Sequence, residues 1–152
     1  MRLAAGTVAL LLALPAAAQP KAHDRGFWTA LAEKEFAVPG GESVGTLAVE
    51  AAGLLSSPDP ALRDGIAYEA LARWVYAAGL VPAGDLERLR LTLQAGLKKG
   101  LGETAGDAAY GRSSSALGLS ILAAADLTRP SLSEEAFDDL LAAATAYLVA
   151  EK

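Results

Sequence analysis

The chain has no cysteine and a single histidine, His23, among its 152 residues. Without cysteine there is no disulfide framework, and there is no attachment point for the lipid of a bacterial lipoprotein. A zinc site built from the usual Cys and His ligands is also excluded. A serine hydrolase triad would have to use His23, which we expect to lie in a mobile segment ahead of the first helix. We therefore expect no metal, no cofactor and no catalytic set.

Basic residues are few and scattered. The 13 Lys and Arg are outnumbered by 18 Asp and Glu, which gives a formal net charge of -5 at pH 7. No Lys/Arg cluster is interleaved with aromatic residues, so nucleic acid and anionic membrane surfaces are excluded as partners. Alanine and leucine dominate, β-branched residues are scarce, and 53% of the chain is hydrophobic. This composition favours one helical domain with its own core.

The first 18 residues have the pattern of a cleavable export signal. Arg2 supplies the positive charge, and an apolar run of twelve residues follows it. Twelve helical residues span only ~18 Å, against a hydrocarbon core of ~30 Å, so the run is too short for a membrane anchor. Small residues then lead to a cut that we predict between Ala18 and Gln19. We expect residues 19–152 to form a periplasmic or secreted helical domain without a stable membrane anchor.

Beyond residue 20, hydrophobic spacing, caps and breakers predict six helices and no strand. Ser43 and Asp59 are predicted N-caps, and Ser131 to Glu134 has the pattern of a capping box. A glycine-rich link, 100–106, separates the fourth helix from the fifth. The predicted helices cover about 24–36, 43–55, 60–78, 85–99, 107–126 and a sixth stretch that follows the capping box.

Short links predict that successive helices are antiparallel neighbours. Because the helices are broadly apolar and lack heptads, we expect an all-α fold of helix hairpins stacked as a HEAT-like α-solenoid. An irregular helical bundle is the alternative. Asp59-x-x-x-Arg63 opens the third helix, and Arg112 opens the core of the fifth 49 residues later. HEAT-type repeats are ~40–47 residues long, so the spacing of 49 residues matches a repeat of this type only loosely.

Polar residues at two helix starts are the candidates for a binding surface: Arg63 with Asp64, and Arg112 with Ser113. Arg63 and Asp64 form either a charged ladder along stacked helices or part of a binding surface. Ser113 begins a run of three serines. These serines bond the free amides of the first turn, pack against a neighbouring helix, or bind an anion or peptide with help from Arg112. We predict these four residues as the binding site.

Other charged residues have structural explanations. The acidic residues that open the sixth helix suit the positive end of the helix dipole and lack the oxygen spacing of a calcium loop, so we expect a solvated face. These residues are Glu134, Glu135, Asp138 and Asp139. Glu69 and Arg73 stand four residues apart and are predicted to form a surface ion pair.

Four short sequence motifs follow one another between residues 27 and 152. They are Phe36-x-Val38-Pro39, Leu62-Arg63-Asp64-x-x-Ala67-Tyr68-x-x-Leu71-x-x-Trp74, Arg112-Ser113-x-Ser115-Ala116-Leu117 and Tyr147-Leu148-x-x-Glu151-Lys152. In order and spacing they resemble the bacterial domain-of-unknown-function family numbered 2785. The sequence departs from that pattern at Tyr110 and Ser114, where the family has Phe. The resemblance implies a HEAT-like helical fold without an established activity, and a chain that continues past Lys152 with a His-bearing segment.

These observations predict an exported helical-repeat protein that binds a protein or peptide partner on a concave face. The sixth helix stays in phase up to Lys152 without a Gly or Pro to end it. We therefore expect a chain truncated at its C-terminal end. The alternative function follows from the resemblance: the N-terminal half of an enzyme, such as a metal-dependent hydrolase, whose catalytic residues lie in a missing C-terminal half.

Overall fold

A computed structural model describes residues 22–103 and 107–151, which form six helices and no strand. The all-α prediction is confirmed, and the predicted signal cut at Ala18 and Gln19 lies outside the described residues. The helices are α1 (Arg25–Glu33), α2 (Val44–Leu54), α3 (Ala61–Tyr68, Glu69–Leu71 and Ala72–Ala77 in succession), α4 (Ala83–Gly96), α5 (Ala108–Thr128) and α6 (Glu134–Ala150). None of these helices is long and apolar enough to cross a membrane.

Polar side chains cap the N-termini of the second and third helices at the positions that the sequence predicts. The Ser43 hydroxyl accepts the Thr46 amide N–H at 3.4 Å, which caps α2. Asp59 Oδ1 accepts the Ala61 N–H at 2.9 Å just ahead of α3. Each bond satisfies an amide that has no partner inside its helix. Both cap predictions are confirmed, because the chain is already helical at Pro60 and the Asp59 carbonyl accepts the Arg63 N–H at 2.9 Å.

The capping-box prediction for α6 was wrong. Ser133 is the cap, and its hydroxyl accepts the Ala136 N–H at 3.2 Å. The backbone N–H of Ser131 instead donates to Asp126 Oδ1 at 2.7 Å. Asp126 thereby closes the turn between α5 and α6, a contact that the local Ser-x-x-Glu pattern does not contain. The helix starts two residues later than a cap at Ser131 requires.

The helices lie in two rows. Helix α3 contacts α1 and α5, while α4 contacts α2 and α6. Between the rows, α2 packs on α3, and α5 packs on both α4 and α6. The core between the rows holds both tryptophans, the leucine stripe of α4 and the alanines of α2. Odd-numbered helices therefore form one layer and even-numbered helices the other.

Helices α4 and α5 cross at small residues. A Cβ added to Gly96 would collide with Ser115, and one added to Gly118 would collide with Leu93. Ser115 is buried, and its hydroxyl donates to the Gly111 carbonyl at 2.7 Å. The predicted packing role for the serine run is thus met at Ser115.

Two consecutive left-handed residues that are not glycine follow the C-cap of α1. Glu35 has φ 53° and Phe36 has φ 62°. Each left-handed non-glycine residue costs roughly 1–3 kcal/mol, so its surroundings must hold it. The Phe36 N–H donates to the Leu31 carbonyl at 2.9 Å, and Trp74 Nε1 donates to the Phe36 carbonyl at 2.8 Å. The Trp74 bond joins two of the sequence motifs quoted above.

Candidate functional site

Arg63 and Asp64 lie together at the start of α3. Arg63 Nε and Nη2 donate to the two Asp64 carboxylate oxygens at 2.9 and 2.8 Å. The same guanidinium lies over the Tyr110 ring of α5, with its carbon 4.9 Å from the ring centroid. The Ser113 hydroxyl donates to the Ala109 and Tyr110 carbonyls of its own helix and is exposed. Arg63, Asp64 and the beginning of α5 thus form one surface.

Arg112 is separated from that surface because it is buried, with 1% of its area exposed. Its Nη1 donates to the Lys99 and Gly100 carbonyls at 3.0 and 2.6 Å, in the turn that follows α4. Its other nitrogens donate to the Glu151 carboxylate. Contacts inside the fold thus engage the whole guanidinium of Arg112. Binding by Arg63, Asp64, Arg112 and Ser113 stays a prediction.

A second surface runs along the seam between α4 and α6, and its first part is acidic. A cleft of about 240 Å³ there is lined by Glu87 and Arg90 of α4 and by Glu135 and Asp139 of α6. The side chain of Arg90 is only 5% exposed, and its Nε donates to Glu87 Oε2 at 2.7 Å. This hydrogen bond lowers the pKa of Glu87 and neutralises the arginine. Asp139 Oδ2 also lies 4.0 Å from Arg90 Nη1, so one guanidinium faces three carboxylates and the cleft is negative overall.

The second part of the seam is apolar. A pocket of about 360 Å³ lies between the last turns of α4 and α6. Leu97 and Leu101 form one wall, Ala143, Ala146 and Ala150 form the other, and Tyr147 closes it. Leu101 is 42% exposed. Alanine side chains on α6 leave the space that a partner's larger apolar side chain can fill.

The two parts belong to one groove, which we call the α4–α6 groove. Between them Gln94 Nε2 donates to the Asp139 carbonyl at 2.9 Å and joins the two helices. Asp139 and Ala146 are seven residues apart, which is ~10 Å along a helix axis. The groove therefore presents negative charge at one end and an apolar pocket about two helical turns away. The four acidic residues that open α6 are all exposed, as the sequence predicts, but the sequence did not show that Glu135 and Asp139 line a groove with α4.

One sequence signal could have revealed the groove. Arg90 stands between Leu86, Leu89 and Leu93 at the i, i+3, i+4, i+7 spacing of a buried stripe. A charge buried inside such a stripe must be paired. Its partner is Glu87, one turn earlier on the same helix.

His23 is fixed to α2, contrary to the predicted mobile segment. Its Nδ1 lies 2.8 Å from Glu50 Oε2, and its Nε2 lies 3.5 Å from Glu42 Oε1. The ring stacks on Phe27 with centroids 3.8 Å apart. The hydrogen bond to Glu50 raises the pKa of His23, with further help from the charges of both carboxylates.

Sequence reasoning also missed that Gly41-Glu42-Ser43-Val44-Gly45 has the Gly-x-Ser-x-Gly spacing of a hydrolase nucleophile elbow. Ser43 is extended, with φ -92° and ψ 121°, and caps α2. The second ring nitrogen of His23 faces Glu42 instead of the serine. Within residues 22–103 and 107–151, the serine and histidine form no hydrogen bond with each other.

No group of three or more His, Asp or Glu able to hold a metal ion occurs in the described part of the chain. No family model, curated protein or solved structure matches the sequence. A proposal for the function of this protein therefore rests on the geometry of the α4–α6 groove.

Proposed function

We propose that this protein is an exported helical-repeat scaffold that binds a peptide, or a helix of another protein, along the α4–α6 groove. The observation that carries the proposal is the pairing of an acidic cleft with an apolar pocket on one seam. Such a groove complements an amphipathic segment with basic side chains at one end and large apolar side chains at the other. Binding of one face of an amphipathic helix in a groove is a common mode of peptide recognition.

The arrangement in two rows supports a stacked-hairpin repeat. In solenoids each helix contacts its equivalents in the neighbouring repeats, as α3 does with α1 and α5. Extended grooves are the usual binding surfaces of that architecture. Membership of the domain-of-unknown-function family numbered 2785 is part of this proposal and rests on the four sequence motifs.

A binding measurement tests the groove. The probe is a fluorescein-labelled helical peptide with two lysines in its first turn and two leucines about seven residues later, ~10 Å along its axis. We expect saturable anisotropy with the full chain, and loss of binding when serines replace the leucines. A peptide of reversed sequence reports the orientation of the bound helix. Equal binding of the leucine and serine peptides would overturn the proposal.

Matched variants locate the site. Asp139→Lys should weaken binding at least about tenfold, and a peptide with glutamates in place of the lysines should restore it. Asp138→Lys makes the same charge change one residue away, outside the lining of the groove, and should have a much smaller effect. Ala146→Glu should block the apolar pocket, whereas Ala142→Glu, exposed but not in the lining, should not.

Export is tested separately by expressing the whole reading frame in a bacterial host with an export pathway. Mass spectrometry of the periplasmic fraction should find a mature N-terminus at Gln19. A chain recovered only from the cytoplasm with Met1 or Arg2 at its start would remove the export part of the proposal and leave the groove unaffected.

A further inference from the structure

A second cleft lies away from the α4–α6 groove, between the loop that follows α1 and the last turns of α3. It is an open cleft of about 350 Å³, a volume within the range of small-molecule sites. Phe36 and Trp74 form its base, and Ala77 and Leu80 add apolar surface. Leu80 is 52% exposed, so the cleft opens to solvent.

Contacts within the protein hold the loop that follows α1 in its conformation without a bound ligand. Glu35 and Phe36 are both left-handed, a conformation in which glycine is far more common. Glycine there would relieve the strain, but it would also remove the carboxylate and the ring from the cleft. Trp74 Nε1 donates a hydrogen bond to the Phe36 carbonyl. The Phe36 and Trp74 rings meet edge to face, with their centroids 6.4 Å apart.

Two opposite charges line this cleft. The Arg73 guanidinium lies over the Phe36 ring, 5.4 Å from its centroid. The predicted surface pair of Arg73 with Glu69 was wrong, because the guanidinium is drawn to the ring. Among the described residues, neither Arg73 nor Glu35 has an ion-pair partner within 4.0 Å, and neither donates or accepts a side-chain hydrogen bond. The cleft thus presents one cation and one anion that do not neutralise each other.

We propose that this cleft binds a small zwitterion with an apolar body, as in an apolar amino acid or a dipeptide. The ligand's carboxylate pairs with Arg73, its ammonium group pairs with Glu35, and its side chain packs on Ala77 and Leu80. A guanidinium in contact with an aromatic face is already ordered, which lowers the entropy lost when it binds a carboxylate. Both charges of the cleft then find partners in one ligand.

Isothermal titration calorimetry with the full chain tests this proposal. L-Phenylalanine should bind saturably. 3-Phenylpropanoate lacks the ammonium group and 2-phenylethylamine lacks the carboxylate, so each should bind at least about tenfold more weakly. A phenylalanine-containing dipeptide forms the second arm. Tighter binding of the dipeptide assigns peptides as the source, and tighter binding of the free amino acid assigns amino acids.

Variants separate the two charges. Arg73→Met keeps the apolar stem and should abolish the advantage of phenylalanine over 2-phenylethylamine. Glu35→Gln should abolish its advantage over 3-phenylpropanoate. Arg73→Gln also removes the charge and should give the same result, so it provides a second variant if the methionine chain folds poorly. Arg88→Met on the exposed side of α4 is the control and should bind as the parent does.

The proposal is overturned if the intact protein shows no saturable heat with phenylalanine or the dipeptide. It is also overturned if all three phenyl compounds bind the parent and both cleft variants alike. Neither result bears on the α4–α6 groove, because the two sites share no residue.

Discussion

Arg112 and Glu151 form a two-bond ion pair that links the start of α5 to the residue after α6. Nε and Nη2 of the arginine each lie 2.8 Å from a different carboxylate oxygen, across 39 residues of sequence. The remaining guanidinium nitrogen holds the turn that follows α4 through two carbonyls. One buried side chain thus joins three helices and fixes the apolar end of the α4–α6 groove.

Loss of this pair should destabilise the protein. We expect Arg112→Met to lower the Tm more than Glu151→Gln, because it removes the bonds to the turn after α4 as well as the ion pair. Arg112 also lowers the pKa of Glu151. The stabilisation should therefore be full above the ordinary glutamate pKa and disappear as the pH falls through the lowered value. Thermal melts at pH 7 and pH 3 measure both effects. Exposed Arg88→Met is the control, and an equal Tm loss there would contradict the assignment.

The His23–Glu50 contact should make stability depend on pH near neutrality. Because the folded pKa of His23 is raised, its contribution is fully present below the ordinary histidine value of about 6.5. It is lost as the pH rises through the raised value. Urea unfolding of the parent and His23→Gln between pH 5.5 and 8.5 should give a stability difference that shrinks with rising pH. A constant difference across that range would show that the charge of His23 is not involved.

The two tryptophans should respond differently to the same substitution. Trp74→Phe removes a buried hydrogen bond to the Phe36 carbonyl, whereas Trp28 Nε1 is buried without a partner among the described residues. Both changes remove similar volume, so their difference reports the hydrogen bond. We expect Trp74→Phe to cost about 1–2 kcal/mol more unfolding free energy than Trp28→Phe. Chemical denaturation measures it, and the opposite order would mean that Trp28 has an unseen partner.

Glycine-to-alanine changes should have opposite signs at two helical positions. Gly96→Ala drives a methyl group into buried Ser115 and should cost about 1–3 kcal/mol. Gly53 in α2 has open space around its missing Cβ, so Gly53→Ala should stabilise by roughly 0.5–1 kcal/mol. Denaturation midpoints compare the two. Stabilisation by both substitutions would mean that α4 and α5 do not cross at Gly96.

Local features of the fold were predictable because they depend on neighbours in sequence. The Ser43 cap joins residues three apart, and Gly100 takes a left-handed conformation with φ 61° after α4. The capping box at Ser131 does not form because Asp126, from the preceding helix, accepts the Ser131 N–H. In a capping box the Glu134 side chain would accept that N–H. A local pattern cannot show that competition.

The candidate sites were less predictable. Arg63 and Asp64 lie side by side as expected, but Arg112 is buried against a residue 39 positions away. Arg73 lies on a ring 37 positions earlier in the chain instead of pairing with Glu69. Helical spacing says which residues share a face, but it does not say which other helix covers that face.

By itself the sequence determined the helical class, the number of helices and most of their starts, because composition, periodicity and capping act within a few residues. It also showed that residues 1–152 contain no cysteine and only one histidine. The tertiary structure alone decided which arginines are buried, where His23 is fixed, and how Asp139 and Ala146 come to line one groove with α4. Those contacts arise from the packing of helices that are distant in sequence, where burial and charge must be satisfied together.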